Sequence, residues 1–331
     1  MTTILNHNIG PVGYGLMGLT RPVDPMSYED CFAAMDAAFA SGANYWNGGE
    51  FYGTPEANSL HLLNAYFTKY PEKANQILLC IKGSRTPGTT IFDGTEKGVR
   101  RSVDECVRVL DGKKSLDIFE CARVDPETPI EETISVLAQL VREGKIKGIG
   151  LSEVRADTIR RAVKVHPIAQ VEVELSLWST DILHNGVAAT CAELGIPIIA
   201  YAPLSRGGLS GTLQPNTTTS DLPQHLRRFP RFQEDALKAN LQLTNEVAKL
   251  AKQKGVAVPQ IAIAWVRAQS GRNGLGVIIP VPGAEKPEWV VQNCATVTLT
   301  EGELQQLEDI TRRVPVKGER YAGVEGKFSE G

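Results

Sequence analysis

The feature that most constrains this chain is a regular alternation of short apolar segments with longer amphipathic ones. Continuous apolar and β-branched segments are typical of strands buried on both faces of a parallel sheet. Strict alternation of such strands with helices predicts right-handed crossovers between parallel neighbours. The strand candidates lie near residues 9–15, 43–47, 77–82, 116–121, 146–151, 169–174, 196–201 and 276–280.

Two kinds of α/β fold have this alternation, the closed (β/α)8 barrel and the open doubly wound sheet. Eight units within 331 residues favour the barrel. A dinucleotide-binding doubly wound sheet would carry G-x-G-x-x-G after its first strand, and the glycines at 10, 13, 15 and 18 do not have this spacing. We therefore predict a (β/α)8 barrel of the TIM type, with the doubly wound sheet as the competing arrangement.

Capping residues predict where several helices begin. Ser27 precedes one apolar helical stripe, and Thr54-Pro55 precedes a second. Thr128 and Glu131 have the spacing of a capping box around Pro129. We expect a helix to begin at each of these three points.

Two segments fall outside the alternation. The first, at about 202–235, is polar and rich in Gly, Pro and Thr, and it follows the seventh strand candidate. A long loop at this place emerges at the carboxyl end of a barrel, where active sites lie. The second is a tail at about 313–331 without periodicity, expected to cover the surface or the mouth of a site. Because no repeat or linker interrupts the chain, we predict that residues 1–331 form one barrel domain.

Composition excludes several classes of function. The net charge is −3, without the basic excess of a nucleic-acid-binding protein. No apolar segment approaches the ~20 residues that span a bilayer, and the N-terminus lacks a leader pattern. Six cysteines without a C-x-x-C pair indicate free thiols in a reducing, cytoplasmic compartment. No His, Cys and carboxylate cluster has metal-ligand spacing, so we predict no metal.

Tyr52 and Lys82 are the first candidates for chemistry, because each follows or ends a strand candidate at the carboxyl end. A lysine ammonium near a tyrosine stabilises the phenolate and lowers a pKa that is ordinarily ~10. Tyr52 could then donate a proton to a carbonyl oxygen. The spacing alone leaves another interpretation open, in which Lys82 reaches solvent at the rim and Tyr52 is a packing aromatic.

Several motifs follow one another in an order that resembles the aldo-keto reductases, from residue 13 to about residue 293. They are G-Y-G-L-M-G-L at 13–19, F-Y-G at 51–53, R-V-D-P at 123–126, G-I-G-L-S at 148–152, Q-V-E at 170–172, Y-A-P-L at 201–204, and P-G-A at 282–284 with Q-N at 292–293. N-Y-W-N-G-G-E-F-Y-G and C-A-R-V-D are similar to the fungal pyridoxal reductases of that superfamily. The resemblance implies a (β/α)8 barrel that binds NADPH.

The resemblance also implies roles for individual residues. Tyr52 is the expected catalytic acid, Lys82 polarises it, and Asn47 is expected to hydrogen-bond Lys82. Ala122 and Arg123 are expected to line the substrate pocket. The cofactor-binding set comprises Ser152 and Gln170 at the nicotinamide carboxamide, Tyr201 stacked on the nicotinamide, Leu204, Ser205 and Gly207 beside the pyrophosphate, and Gly283, Ala284, Lys286, Gln292 and Asn293 around the adenosine 2′-phosphate and adenine.

Three positions depart from the family pattern. Most relatives have Asp where this chain has Asn47, and His where it has Ala122. Many have Arg at the position of Trp289, where it grips the 2′-phosphate. Asn47 brings no charge to Lys82, and Ala122 leaves space beside the reacting atoms.

The resemblance implies NADPH-dependent reduction of a small aldehyde, with pyridoxal, and hence vitamin B6 metabolism, as the leading interpretation. The cofactor would supply the hydride, and the protein would supply orientation and charge stabilisation. One alternative is a broad-specificity aldehyde reductase. Another is a weakly active NADPH-binding redox sensor, similar to the potassium-channel β-subunits that share this fold.

Overall fold

The computed structural model describes residues 2–322 and has twelve strands and ten α-helices in that range. The strands are β1 (Thr2–Ile4), β2 (His7–Ile9), β3 (Tyr14–Gly15), β4 (Tyr45–Gly49), β5 (Gly53–Thr54), β6 (Ala57–Asn58), β7 (Leu78–Gly83), β8 (Ile118–Cys121), β9 (Gly148–Ser152), β10 (Gln170–Glu174), β11 (Ile198–Tyr201) and β12 (Ile278–Val281). The helices are α1 (Tyr28–Ala40), α2 (Ser59–Lys69), α3 (Glu96–Leu110), α4 (Ile130–Arg142), α5 (Ala156–Ala162), α6 (Val187–Glu193), α7 (Glu234–Lys254), α8 (Val258–Ala268), α9 (Pro287–Cys294) and α10 (Glu301–Arg313).

The central sheet is a closed barrel. Eight parallel strands follow the order β3-β4-β7-β8-β9-β10-β11-β12. The sheet closes where the Gly13 N–H donates to the Pro280 carbonyl at 2.9 Å and Gly15 pairs in parallel with Gly283. A Cβ at Gly13 would lie 2.9 Å from Tyr45, so this close approach requires glycine. The predicted (β/α)8 barrel is confirmed, and the doubly wound alternative is excluded.

An N-terminal hairpin was not predicted. The strand candidate at 9–15 divides between β2, which ends at Ile9, and the two-residue β3. The antiparallel pair β1–β2 packs Ile4 and Ile9 into an apolar cluster with interior residues of the barrel such as Leu78 and Ile118. The hairpin therefore covers the amino end of the barrel and leaves the carboxyl end for chemistry.

Of the three predicted helix starts, the one at Thr54-Pro55 is wrong, and the capping box predicted at Thr128 does not form although a helix begins there, at Ile130. Ser27 caps α1 as expected, because its side chain accepts the Asp30 N–H. Thr54 instead belongs to β5, and Asn58 caps α2. Thr128 forms no capping box; its hydroxyl donates to Asp125 at 2.8 Å, and α4 begins after Pro129 without a side-chain cap. In both cases a hydrogen bond or strand pairing formed in the folded loop competes with the local capping pattern.

The interior of the barrel has an apolar part and a polar part. Tyr45, Leu78 and Ile118 belong to the apolar cluster near the hairpin. Two or four residues further along these strands the buried side chains on the same face become polar, because alternate positions of a strand share a face. This buried polar set comprises Asn47, Lys82, Glu120, Ser152 and Glu172.

The loop at 202–235 and the tail contact each other at the carboxyl end. The loop contains short 3-10 turns, and the Arg231 Nε in it donates to the Gly318 carbonyl at 3.1 Å. Asn240 of α7 accepts the Lys317 N–H at 2.7 Å. Residues 323–331 of the predicted tail lie outside the described residues. Across residues 2–322, no helix combines the length and apolar character that crossing a membrane requires.

Candidate active site

Tyr52 and Lys82 come together at the carboxyl end of neighbouring strands. Lys82 lies in β7 and is 5% exposed. The Glu50 N–H donates to the Lys82 carbonyl at 2.9 Å, and the Tyr52 N–H donates to the Gly49 carbonyl at 3.2 Å. The Tyr52 ring packs where a Cβ on Gly49 would stand, 2.9 Å away. Glycine at 49 therefore lets the Tyr52 ring lie against the end of β4.

The Tyr52 hydroxyl keeps its proton in this environment. Burial raises its pKa to about 12, and this effect outweighs Lys82, which lowers it. Glu172 and Glu120 raise the pKa further, whereas Arg123 lowers it. Lys82 thus acts in the predicted direction, but the predicted net lowering does not occur. The arrangement provides a protonated phenol next to a buried ammonium group.

Glu172 is the direct partner of the Lys82 ammonium. The two side chains form an ion pair, and burial of both is nearly complete. The Asn47 side-chain N–H donates to the other oxygen of Glu172 at 2.7 Å. The expected hydrogen bond from Asn47 to Lys82 is therefore replaced by an indirect contact through Glu172. Asn47 therefore positions the Glu172 carboxylate, which in turn positions the Lys82 ammonium.

A second buried carboxyl group, Glu120, lies near the ion pair of Lys82 and Glu172. One Glu120 oxygen is 3.7 Å from the Lys82 ammonium. Burial raises the Glu120 pKa well above its ordinary value, and Glu172 raises it further. A Cβ at Gly150 would lie 2.8 Å from the other oxygen, so glycine there makes room for the side chain. The raised pKa thus favours the protonated form of Glu120.

The structure also brings together Cys80, Glu120 and Glu172, whose possible metal-ligand atoms lie within 4.8 Å of one another. The sequence analysis did not foresee this cluster. The Lys82 ammonium already pairs with Glu172. The Gln170 amide donates to Cys80 at 3.2 Å and to Glu120 at 3.3 Å. The donor groups of the protein therefore engage all three side chains.

Ser152 and Gln170, expected at the nicotinamide carboxamide, lie on adjacent strands. Gln170 pairs with Gly150 in register, and Ser152 pairs with Glu172. The Gln170 N–H donates to the Tyr45 hydroxyl at 2.7 Å. The Gln170 Oε1 and the Ser152 Oγ are buried and have no hydrogen-bond partner among the described residues. Unpartnered buried polar atoms are costly and require an explanation.

The segment after β11 has an unusual backbone. Tyr201 ends β11, and its ring centroid is 5.0 Å from the Lys82 ammonium. The backbone adopts the left-handed region, unfavourable for residues with a Cβ, at Ala202 (φ 50°), Ser205 (φ 53°) and Arg206 (φ 56°). Strain of this kind concentrates at functional sites. The segment includes three residues expected beside the pyrophosphate, Leu204, Ser205 and Gly207.

The residues expected around the adenosine end follow β12. The Tyr14 hydroxyl donates to the Ala284 carbonyl at 2.7 Å, which fixes the backbone after Gly283. Lys286 immediately precedes α9, and its ammonium lies 4.7 Å from the ring centroid of Trp289, which is 42% exposed. The remaining two residues lie in α9, with Asn293 buried and Gln292 partly buried.

The expected substrate residues differ in exposure. Ala122 is 1% exposed, and its N–H donates to the Gly83 carbonyl at 3.1 Å. Arg123 is partly buried and donates to the Tyr321 hydroxyl at 3.0 Å. The Tyr321 and Tyr201 hydroxyls share a hydrogen bond of 2.7 Å. The tail thus connects Arg123 to the expected nicotinamide-stacking residue.

Several residues of the site were not predicted. They share a place in the buried interior or at the mouth, and they are Glu120, Glu153, Glu172, Glu174, Arg206, Arg320 and Tyr321. The segment Q-V-E-V-E at 170–174 carried a usable signal. Charged residues at alternate positions of a strand buried on both faces must find buried partners. Tyr321 had no comparable signal, because the tail has no periodicity.

The chain belongs to the aldo-keto reductase family, whose model matches residues 11–312. It is 38% identical over 330 residues to the probable pyridoxal reductase 2 of Schizosaccharomyces pombe, covering 97% of both chains. It is 34% identical over 337 residues to the putative pyridoxal reductase of Saccharomyces cerevisiae, covering 93% of this chain and 95% of that one. The glycerol dehydrogenase of Gluconobacter oxydans has a similar structure, with a TM-score of 0.80, 23% identity and 94% coverage of each chain. The protein is therefore an oxidoreductase with a small-molecule substrate, of a family that uses nicotinamide cofactors.

Proposed function

We propose that the protein reduces pyridoxal to pyridoxine with NADPH, in the cytoplasm. The observation that carries the proposal is the protonated Tyr52 beside Lys82, whose ammonium is fixed by Glu172. An acid of this kind can protonate the oxygen of a carbonyl group as hydride reaches the carbon. Similarity to two proteins named as pyridoxal reductases supports the choice of pyridoxal.

The residues present fit a nicotinamide cofactor. A carboxamide offers N–H donors and a carbonyl acceptor, and the unpartnered Gln170 Oε1 and Ser152 Oγ offer an acceptor and a hydroxyl in return. Tyr201 provides an aromatic face near Lys82. Lys286 would pair with the 2′-phosphate that distinguishes NADPH from NADH. When bound, the cofactor supplies a hydride to the aldehyde carbon.

In this mechanism the chain supplies the proton and the charges around it. One aldehyde, one hydride and one proton give the alcohol, with the proton coming from the Tyr52 hydroxyl. The Lys82 ammonium stabilises the resulting phenolate, and Glu172 with Asn47 keeps that ammonium in place. Solvent then returns a proton to Tyr52.

The test is NADPH oxidation by the purified protein with pyridoxal, succinic semialdehyde and 4-nitrobenzaldehyde. We expect the highest kcat/KM with pyridoxal and formation of pyridoxine. Comparable kcat/KM for all three aldehydes would favour a broad aldehyde reductase instead. Tight NADPH binding without measurable turnover would favour the redox sensor.

A further inference from the structure

The mouth of the barrel holds three arginines around one tyrosine of the tail. The guanidinium groups of Arg123, Arg206 and Arg320 lie 5.4, 4.7 and 5.8 Å from the ring centroid of Tyr321. Two carboxylates compensate this positive charge. Glu153 forms an ion pair with Arg320.

The second carboxylate, Glu174, accepts from Arg206 at 3.4 Å and lies 3.7 Å from Arg320. Both carboxylates of the mouth thus already have guanidinium partners. This leaves Arg123, whose hydrogen bonds within residues 2–322 go to the Ala122 carbonyl at 2.6 Å and the Tyr321 hydroxyl at 3.0 Å. Both acceptors are uncharged. Glu153 raises the pKa of Arg123 from nearby, but within residues 2–322 no carboxylate accepts a hydrogen bond from Arg123. Because an arginine has five N–H donors, Arg123 retains donors that a ligand oxygen could use.

Arg123 also lies close enough to the reacting hydroxyl to matter for chemistry. It follows Ala122 directly after β8, and it lowers the pKa of Tyr52. Its partner Tyr321 shares a hydrogen bond with Tyr201, whose ring faces the Lys82 ammonium. A ligand oxygen at Arg123 would therefore be a near neighbour of the carbonyl that Tyr52 protonates.

We propose that Arg123 binds an ionised hydroxyl ortho to the aldehyde of the substrate, so that the site selects 2-hydroxyaryl aldehydes. The Tyr321 hydroxyl shows that a phenol oxygen fits at Arg123. Pyridoxal belongs to this chemical class, because its ring hydroxyl is ortho to the aldehyde and ionised at neutral pH. The inference rests on the proposed function, since it concerns which aldehydes are reduced.

The experiment compares two aldehydes that differ by one methyl group. The hydroxyl of 2-hydroxy-5-nitrobenzaldehyde is ionised at neutral pH, whereas 2-methoxy-5-nitrobenzaldehyde has no ionisable group. The ratio of their kcat/KM values is measured with NADPH for the wild-type protein and for Arg123→Met, which keeps a long side chain without charge. Comparing this ratio between proteins cancels the intrinsic reactivity of the aldehydes. Arg312→Met, at an arginine whose side chain is 74% exposed, is the matched control.

We expect Arg123→Met to lower the hydroxy-to-methoxy ratio about 10- to 100-fold, as the loss of one charge-assisted hydrogen bond implies. Arg123→Lys should recover part of the ratio, because it keeps the charge but loses the planar fork. The KM for NADPH should stay within about threefold, and Arg312→Met should leave the ratio unchanged.

An unchanged ratio in an active Arg123→Met protein would overturn the inference and leave the proposed function intact. An equal fall for both aldehydes with a raised KM for NADPH would assign Arg123 to the cofactor and also overturn it. If Arg123→Met does not fold, Arg123→Lys decides by the same ratio. If the wild-type protein reduces pyridoxal but neither of these aldehydes, the inference fails and the proposed function stands. Absence of turnover with pyridoxal as well would remove the proposed function, and the inference with it.

Discussion

The two buried carboxyl groups should substitute for each other as partners of Lys82. In the wild-type protein Glu172 forms the ion pair, while Glu120 lies 3.7 Å from the ammonium with a raised pKa. Glu172→Gln removes the negative charge that raises the Glu120 pKa, whereas the Lys82 ammonium remains. We expect Glu120 to ionise and to replace the lost charge.

The structure gives the order of magnitude. Unit charges 3.7 Å apart attract by about 4–5 kcal/mol at an effective dielectric constant of 20, before the cost of desolvating Glu120 is subtracted. We therefore expect Glu172→Gln to lower the free energy of unfolding by only about 1–2 kcal/mol, and Glu120→Gln by about 0–1 kcal/mol. The double variant leaves a buried ammonium unpaired, and it should lose about 3–5 kcal/mol.

The assay is urea unfolding of the wild-type protein, both single variants and the double variant at pH 7. Glu193→Gln, which removes an exposed ion pair with Arg160, is the control and should change stability by less than about 1 kcal/mol. If the double variant equals the sum of the single variants within about 0.5 kcal/mol, the carboxyl groups do not substitute for each other and the reasoning fails.

The raised pKa of Glu120 also predicts that the free energy of unfolding depends on pH. The pKa of Glu120 is raised above 4.5 in the folded protein. At pH values between 4.5 and this raised pKa, the folded protein therefore holds a proton on Glu120 that the unfolded chain has lost. This contribution to stability is fully present below pH 4.5 and is lost as the pH rises through the raised value. Glu120→Gln should flatten that fall in unfolding free energy; an unchanged slope would contradict the direction given for Glu120.

Four further predictions concern activity. Tyr52→Phe should lower kcat by about 10²–10⁴-fold while NADPH still binds, because the ring remains but the proton donor is lost; near wild-type turnover would exclude Tyr52 as the acid. Asn47→Ala should lower kcat more than NADPH affinity, because Glu172 loses its amide donor; unchanged turnover and pH–rate profiles would make Asn47 structural only. Lys286→Ala should reduce a preference for NADPH over NADH by about 1.5–3 kcal/mol, and cofactor titrations that show equal affinity before and after the change would refute it. Ala122→His should reduce kcat/KM for pyridoxal more than for slim aliphatic aldehydes, since an imidazole fills space beside the carbonyl site, and a uniform loss would indicate general damage.

Much of the fold follows from local sequence patterns. Several barrel strands, such as β7, β11 and β12, are largely apolar segments, so their positions could be predicted within a few residues. The hairpin at Thr2–Ile9 could not, because its two strands have three residues each and their stability comes from the barrel end that they cover. Thr54 has a helix-start pattern, but strand pairing with Ala57 prevails there.

The part of the candidate site that could be predicted consists of residues whose type and position along the chain both indicate chemistry. Tyr52 and Lys82 stand at strand ends and could be singled out from the chain alone. The pairing of Asn47 with Glu172 joins residues 125 positions apart, and only closure of the barrel brings them together. The net pKa of Tyr52 also depends on burial, which the sequence does not give. Local spacing therefore singled out Tyr52 and Lys82 as candidates but gave no sign of the carboxyl groups Glu120 and Glu172 near them.

Closure of the barrel by β3 has a consequence for biosynthesis. The Tyr14 hydroxyl meets the Ala284 carbonyl 270 positions later, next to the pairing of Gly15 with Gly283. At 5–20 residues per second a ribosome needs about 14–54 s to add that length of chain. During this time the free edge of β3 has no strand to pair with, and unpaired edges promote association between chains. Because slower translation lengthens this exposure, the yield of folded protein should fall when translation is slowed, even though the finished barrel is unchanged.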